Sequence, residues 1–536
     1  MIRQSCLFRS AMFGLGVIAV LAATSRAQPP PKAGSLPNDV SVQTGVEVQT
    51  RGPIHEAFAA LAIRGPRSSP VISTPPPELI EELIPEQRPE GDNSQWIPGY
   101  WAWNDDSDAF LWVSGTYRIV PPGRHWVPGY FNRTEDGWQW IVGFWDDVKN
   151  DIDLLPAPPD PVDEAIPPPP AEASIYQPGC WVYHGGQYMW RSGFYLPYRE
   201  DWLWTPASYY WTPGGYIFNE GYWDYPWQRR GLLFAPVMFS NRLGLQSGWS
   251  YRPSYLVNSN FLMASLFERP SYQHYYFGDY YDPRYDRMGF VSWTDARYSA
   301  NVGNPLFTYY QLQNRTNLNW SRDLRQLYTT RRLDISARPP RTLVQQQTVI
   351  QKIHNKTVIT NNVTNIDNMT AVAHLTSVDK TRVKLQPITK VQIAEAQKTA
   401  VQFREFGAQR AKLEVEARVK AQAQVQPGKT PMPIKVELPA KRPAPVKVNN
   451  GPKSFVPPAC PVMPEPKPIK LGKGKPAEAG KPAVTLPDIK PKDPVSPPPK
   501  DPSPAAKPPA KPTPPVKPPV GPAPGKPSVP PKPDKK

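Results

Sequence analysis

Residues 125–145 read HWVPGYFNRTEDGWQWIVGFW, and within them W-x-x-G-x-aromatic occurs twice, at Trp126–Phe131 and Trp140–Trp145. The same unit recurs outward from this stretch. Its first residues are Trp96, Trp112, Trp126 and Trp140, then Tyr176, Trp190, Trp204 and Phe218. Successive steps are 16, 14 and 14 residues in the first set and 14 throughout the second. Glycine holds the fourth position at Gly99, Gly115, Gly129, Gly143, Gly179, Gly193 and Gly221, and Ala207 is the exception. Eight units in phase identify an internal repeat, so single motifs within it are read as parts of that repeat.

A fourteen-residue unit accommodates one strand of about eight residues and a turn of about six, and aromatic residues favour a pleated surface. Turn formers separate the units, as at 104–108, 121–124, 132–137 and 184–187. Short connections imply antiparallel neighbours. The expected fold is therefore mainly β, an antiparallel meander of aromatic-repeat strands in two sets of about four. Helical segments and a long disordered C-terminal tail follow. A glycine weakens a strand unless something uses the missing side chain. The expected user is a ring on the neighbouring strand lying across the bare backbone. Trp96, Gly99, Trp101, Trp112, Gly115, Trp126, Gly129, Trp140, Gly143, Trp145, Gly179, Trp181, Trp190, Gly193, Trp204, Gly221 and Trp223 are thus structural repeat residues.

Trp96–Trp101 (WIPGYW), Trp126–Phe131 (WVPGYF) and Trp140–Trp145 (WIVGFW) resemble the tandem repeat of bacterial exported proteins named for a YxWGxW or WxxGxW pattern. The resemblance covers about residues 96–225 and implies export but no particular reaction. Tyr176, Phe218 and Ala207 depart from the pattern.

Export is also read from the N-terminus. Arg3 and Arg9 precede a short apolar run, Ala11–Ala23, and Ser25, Arg26 and Ala27 offer a cleavage site, so residues 1–27 read as a signal peptide. The run is too short for a bilayer span, which needs about twenty residues. The expected location is periplasmic, outer-surface or extracellular, with no transmembrane segment after cleavage. Only Cys180 and Cys460 remain, too few for a disulfide scaffold, and both are expected as free thiols. The net charge of +16 is uneven: residues 427–536 hold 21 Lys and Arg against 7 Asp and Glu. The body between signal and tail is near neutral, which argues against a nucleic-acid partner.

The remaining boundaries follow from composition. Residues 28–95 read as a proline-rich linker with a short helix at Glu78–Ile84, and 96–225 as the repeat domain, its halves 96–153 and 175–225 split by a proline-rich loop. Residues 226–335 form a tyrosine-rich region with a helix near 305–332, expected to pack on the β domain. Residues 336–388 read as extended or weakly structured. Residues 389–424 read as a long helix with a thin stripe of Val391, Ala394, Phe403 and Leu413. From 425 onward the chain is rich in proline and lysine, with 36 prolines after residue 426, and is expected to be disordered.

Chemistry-bearing groups are sparse. His55, His125, His184, His274, His354 and His374 show no ligand spacing, and no phosphate loop, G-x-S-x-G or H-E-x-x-H occurs. Asn104, Asp106 and Asp108 open like a calcium loop, but Ala109 and Gly115 stand where its glycine and glutamate belong. Asp279, Asp282 and Asp286 read as a solvated acidic loop. The expectation is a non-enzymatic, secreted structural or interaction protein of the bacterial cell envelope, without catalytic, cofactor or metal residues. Its basic tail would contact anionic surface polymer, or the head a surface protein. The alternative is a glycan-binding module using exposed Trp and Tyr of the repeat.

Overall fold

The computed structural model describes residues 43–62, 65, 68–91, 93–147, 151–240, 249–298, 302–357, 369–378, 383–424, 432–438, 443 and 456–469. The residues expected as signal peptide, residues 28–42, 358–368 and most of the tail lie outside them. The fold is mainly β, with antiparallel strands dominating and few helices.

Each repeat unit is broken into two short strands at its glycine, as in Ser94–Ile97 and Tyr100–Asn104. Units then associate in twos. Ser94–Ile97 pairs with Thr116–Ile119 in the following unit, while Tyr100–Asn104 pairs with Ala109–Val113. The second, third and fourth pairs of units repeat this crossing arrangement, for example 125–127 with 144–146 and 130–133 with 138–141. Each pair is thus a bent two-stranded ribbon, kinked where the fourth residues of its two units face each other, both glycine except for Ala207 in the fourth pair. Outside strands complete small sheets: Val237–Phe239 joins the first pair and Asp151–Leu155 the fourth.

Residues 46–89, expected as linker, are built into the core instead. Val46–Val48 pairs with Val237–Phe239, and Ile54, Phe58 and Leu61 are buried beside Trp101 and Trp112. Glu78–Ile84 is extended, not helical: Glu81–Glu82 forms a short parallel bridge with Ser250–Tyr251. Prolines at 75–77 and 85 leave too few residues for a helix, and the backbone pairs elsewhere.

The tyrosine-rich region packs on the repeats through one large cluster that joins Trp227, Phe267, Tyr275–Phe277, Trp293 and Tyr310 to Trp101, Trp112, Ile175 and Leu203. The helix expected near 305–332 is two helices, Pro305–Gln313 and Trp320–Leu333. Between them Asn314 donates to the Tyr310 carbonyl and Asn317 accepts from the Asn319 N–H, local bonds that compete with helix continuation. Residues 336–388 contain a helix, Leu343–Thr357, burying Leu343, Gln346 and Ile350 on one face. Gln346 is the reason for its docking, since its amide donates to the Val372 carbonyl and accepts the Ala371 and Val372 N–H groups.

The long helix spans Lys390–Gln424, started by a reciprocal cap between Thr389 and Gln392. Its buried stripe runs through Ala396, Ala400, Phe403, Gly407, Arg410, Glu414 and Ala417 in alternating steps of four and three, widened by the buried Phe406. Val391 is exposed and Ala394 lies off the stripe. The tail also contributes: Ile434–Glu437 pairs with Asp151–Leu155, so its onset at 425 is too early for a purely disordered segment. No described helix is long and apolar enough to cross a membrane.

Candidate functional site: carboxylate clamps in the repeat

The register within each pair sets the first ring of one unit opposite the last ring of the other. The eight resulting pairs are Trp96–Tyr117, Trp101–Trp112, Trp126–Trp145, Phe131–Trp140, Tyr176–Tyr195, Trp181–Trp190, Trp204–Trp223 and Tyr209–Phe218. Their centroids lie 4.9–5.2 Å apart. Such pairs each contribute about 0.5–1.5 kcal/mol beyond burial. None of the seven repeat glycines has a positive φ, so glycine is needed here for space. A methyl group at Gly99 would lie 2.7 Å from Trp112 Nε1, and one at Gly221 would lie 2.8 Å from Trp204 Nε1.

The space over the glycines holds a second occupant. In the first pair, Glu82 accepts the N–H of Gly99 at 2.8 Å, that of Gly115 at 2.8 Å and the Trp112 indole N–H at 2.9 Å. In the second, Glu56 accepts the Gly143 N–H at 3.0 Å and the Trp140 indole N–H at 3.2 Å, with the Gly129 N–H also directed to it. In the third, Glu164 accepts the Gly193 N–H at 2.6 Å, the Trp190 indole N–H at 3.1 Å and the Tyr176 hydroxyl at 3.0 Å. Glycine N–H groups and one indole thus converge on one carboxylate in each of three pairs, two glycines in the first and second, and Gly193 with the Tyr176 hydroxyl in the third. A second tryptophan of each pair holds the backbone beside the glutamate: Trp101 donates to the Glu78 carbonyl, Trp145 to Ala57 and Trp181 to Asp160.

The second clamp is gripped from behind as well. Arg410 of the long helix donates to the carbonyls of Pro128 and Val142, each at 2.9 Å, and these residues immediately precede Gly129 and Gly143. Its Nε meets Glu414 at 2.7 Å, and both side chains are fully buried. Glu414 in turn accepts the Tyr130 hydroxyl.

The fold brings two of the scattered histidines to this clamp. His274 Nδ1 lies 2.7 Å from the Tyr272 carbonyl, which assigns the proton to that nitrogen, so Nε2 accepts the Tyr100 hydroxyl at 2.9 Å. Burial holds His274 down at about 4 and His55 at about 3, while burial pushes Glu56 up to about 7 against its hydrogen bonds. The 3.5 Å contact of His274 with Glu56 is therefore one between a neutral imidazole and a carboxyl whose ionisation burial opposes. Burial also raises Glu82.

Burial alone pushes Glu268, which accepts from Asn304, up to about 8 from 4.5. A raised carboxyl stabilises the fold fully below its unfolded value, and this stability is lost as pH rises from 4.5 through 8. Glu268→Gln is expected to flatten that loss, by up to about 1.4 kcal/mol per pH unit. Thermal midpoints of parent and variant between pH 5 and 8.5 check this, and parallel curves would contradict it.

The other candidate groups serve the fold. Asp106 is ion-paired to Arg51 and Arg284 and accepts the Tyr285 hydroxyl, so the would-be calcium turn is neutralised by the chain's own cations. Asp282 caps the helix Pro283–Arg287, Asp286 pairs with Arg332, and Asp279 accepts from Arg341 at 2.7 Å. His125 faces Asp146 at 3.6 Å, His184 lies exposed in a hairpin turn, and His374 packs on Tyr255. The His354 side chain lies outside the described residues. Among the described residues no three His, Cys, Asp or Glu groups are placed to share a metal ion, and Cys180 and Cys460 are unbridged.

No protein-family model, curated protein or solved structure matches this chain. The three glutamates lie outside the repeat units and are not among the residues that the sequence singles out. A signal did exist: Glu78–Pro85 (ELIEELIP) and Asp160–Pro167 (DPVDEAIP) share acid, glutamate, isoleucine and proline at the same offsets, outside the repeat units.

Proposed function

We propose that this chain is a secreted, non-enzymatic structural or interaction protein of the bacterial cell envelope, whose basic tail contacts anionic surface polymer. The observation that carries the reading is that the repeat spends its binding capacity on its own chain. Its rings pair with one another and its converging N–H donors hold Glu56, Glu82 and Glu164. None of the exposed large apolar side chains among the described residues is aromatic, which counts against the glycan-stacking alternative. Charge then remains as the chief means of reaching a partner. Residues 471–536 carry 13 lysines against 5 acidic residues.

Sedimentation with isolated cell envelope tests the reading. The full mature chain is expected to bind at low salt and to lose at least about ten-fold in binding by 0.5 M salt, because screening shortens the reach of exposed charge to about 4 Å or less. A chain ending at Lys470 is expected to bind weakly at both. Equal binding by the two chains, or binding indifferent to salt, would refute the role given to the tail.

A further inference from the structure

The first and third clamps receive an extended segment in the same way. An indole N–H takes a backbone carbonyl, at 3.0 Å from Glu78 and 2.9 Å from Asp160, and four residues later a glutamate reaches the glycines. The fourth pair of units shows the first of these contacts: Trp223 Nε1 donates to the Ala459 carbonyl at 3.2 Å. Four residues after Ala459 stands Met463, half-buried against Leu196, Trp202, Trp204, Trp223 and Tyr225. It lines one small cavity with Ala207 and Gly221. Four residues further, Lys467 exchanges both backbone hydrogen bonds with Trp190, each 2.9 Å.

Two departures from the repeat coincide here. Ala207 is the one unit without glycine, and Met463 stands where the other segments carry glutamate. They are physically linked. A methyl group would lie 2.8 Å from the Glu82 carboxylate at Gly115, and 2.5 Å from the Glu164 carboxylate at Gly179. Alanine in a clamp therefore excludes the carboxylate and favours an uncharged, adaptable side chain such as methionine. The rest of the wall is retained, since Trp204 lies over Gly221 as Trp112 lies over Gly99.

We propose that the fourth pair of repeat units is a peptide-binding site for residues 459–467 of this chain, reading Met463 through Ala207 in place of glutamate through glycine. The site takes an extended, proline-flanked segment, and it anchors the root of the basic tail to the head. This holds whatever the tail itself binds, so its test is separate from that of envelope attachment.

The test uses the full mature chain with Cys460→Ser, leaving Cys180 as the thiol that lines the Met463 cavity. The rate of Cys180 modification by a small disulfide reagent reports release of the segment. Met463→Glu is expected to accelerate it at least about ten-fold, and Ala207→Gly alone to change it less than about three-fold. Met463→Glu with Ala207→Gly rebuilds a carboxylate clamp and is expected to return the rate to within about three-fold of the parent. Rescue separates specific recognition from mere destabilisation by a buried charge. An unchanged rate in Met463→Glu, or a double variant as open as the single one, would overturn the proposal.

Discussion

Glu82→Ala is expected to lower the unfolding free energy by about 3–5 kcal/mol, the range for stripping one partner from a buried charged network. The substitution leaves the N–H groups of Gly99 and Gly115 and the Trp112 indole without their acceptor at a fully buried site. Each buried donor left unsatisfied costs about 1–3 kcal/mol. The gain from no longer burying the carboxyl, whose protonation burial favours, offsets part of that cost. Glu82→Gln separates the two effects. It keeps one oxygen for Trp112 and Gly115 and fails only Gly99, so it is expected to lose roughly half as much. Urea unfolding followed by tryptophan fluorescence measures both. Equal stability of Glu82→Ala and the parent would mean that ring packing alone holds the kink, and the clamp would lose its energetic meaning.

Arg410→Met carries a comparable expected loss, about 3–5 kcal/mol. It strands the Glu414 carboxylate, fully buried and otherwise held by the Tyr130 hydroxyl, and it releases the carbonyls of Pro128 and Val142. The guanidinium also lies 5.3 Å from the Tyr130 ring and 5.0 Å from the Phe144 ring, so the methionine stem replaces packing but not charge. Arg410→Met with Glu414→Leu is expected to recover much of the loss, because removing both members of a buried pair leaves no uncompensated ion. The same unfolding titration reads the coupling. Additive losses in the double variant would show that the two side chains act independently.

These two sites mark where sequence reading succeeds and fails. The pairing of rings with glycines was legible at Trp126, Gly129, Trp140 and Gly143, because unit and partner lie fourteen residues apart and the period exposes them. The long helix was legible from composition. Its docking face was not, since two of the eight buried positions are Arg410 and Glu414, which no search for an apolar stripe selects. His55 and His274 looked isolated in sequence, 219 residues apart, yet Tyr100 touches the rings of both. Residues 46–89 looked like linker because their proline content masks short runs, such as Ile54–Leu61, that fill the core.

The amino-acid order alone determines the aromatic repeat: its period, its antiparallel neighbours, and the need for a small residue, glycine in all units but the one with Ala207, where a ring crosses the backbone. These depend on contacts within about one repeat and on the bulk of indole rings. The occupants of the kinks were settled only in three dimensions. Glu56 reaches Gly143 across 87 residues, and Arg410 reaches Pro128 across 282. Each glycine kink leaves N–H groups that strand pairing does not use, and a buried donor must find an acceptor wherever the folded chain brings one.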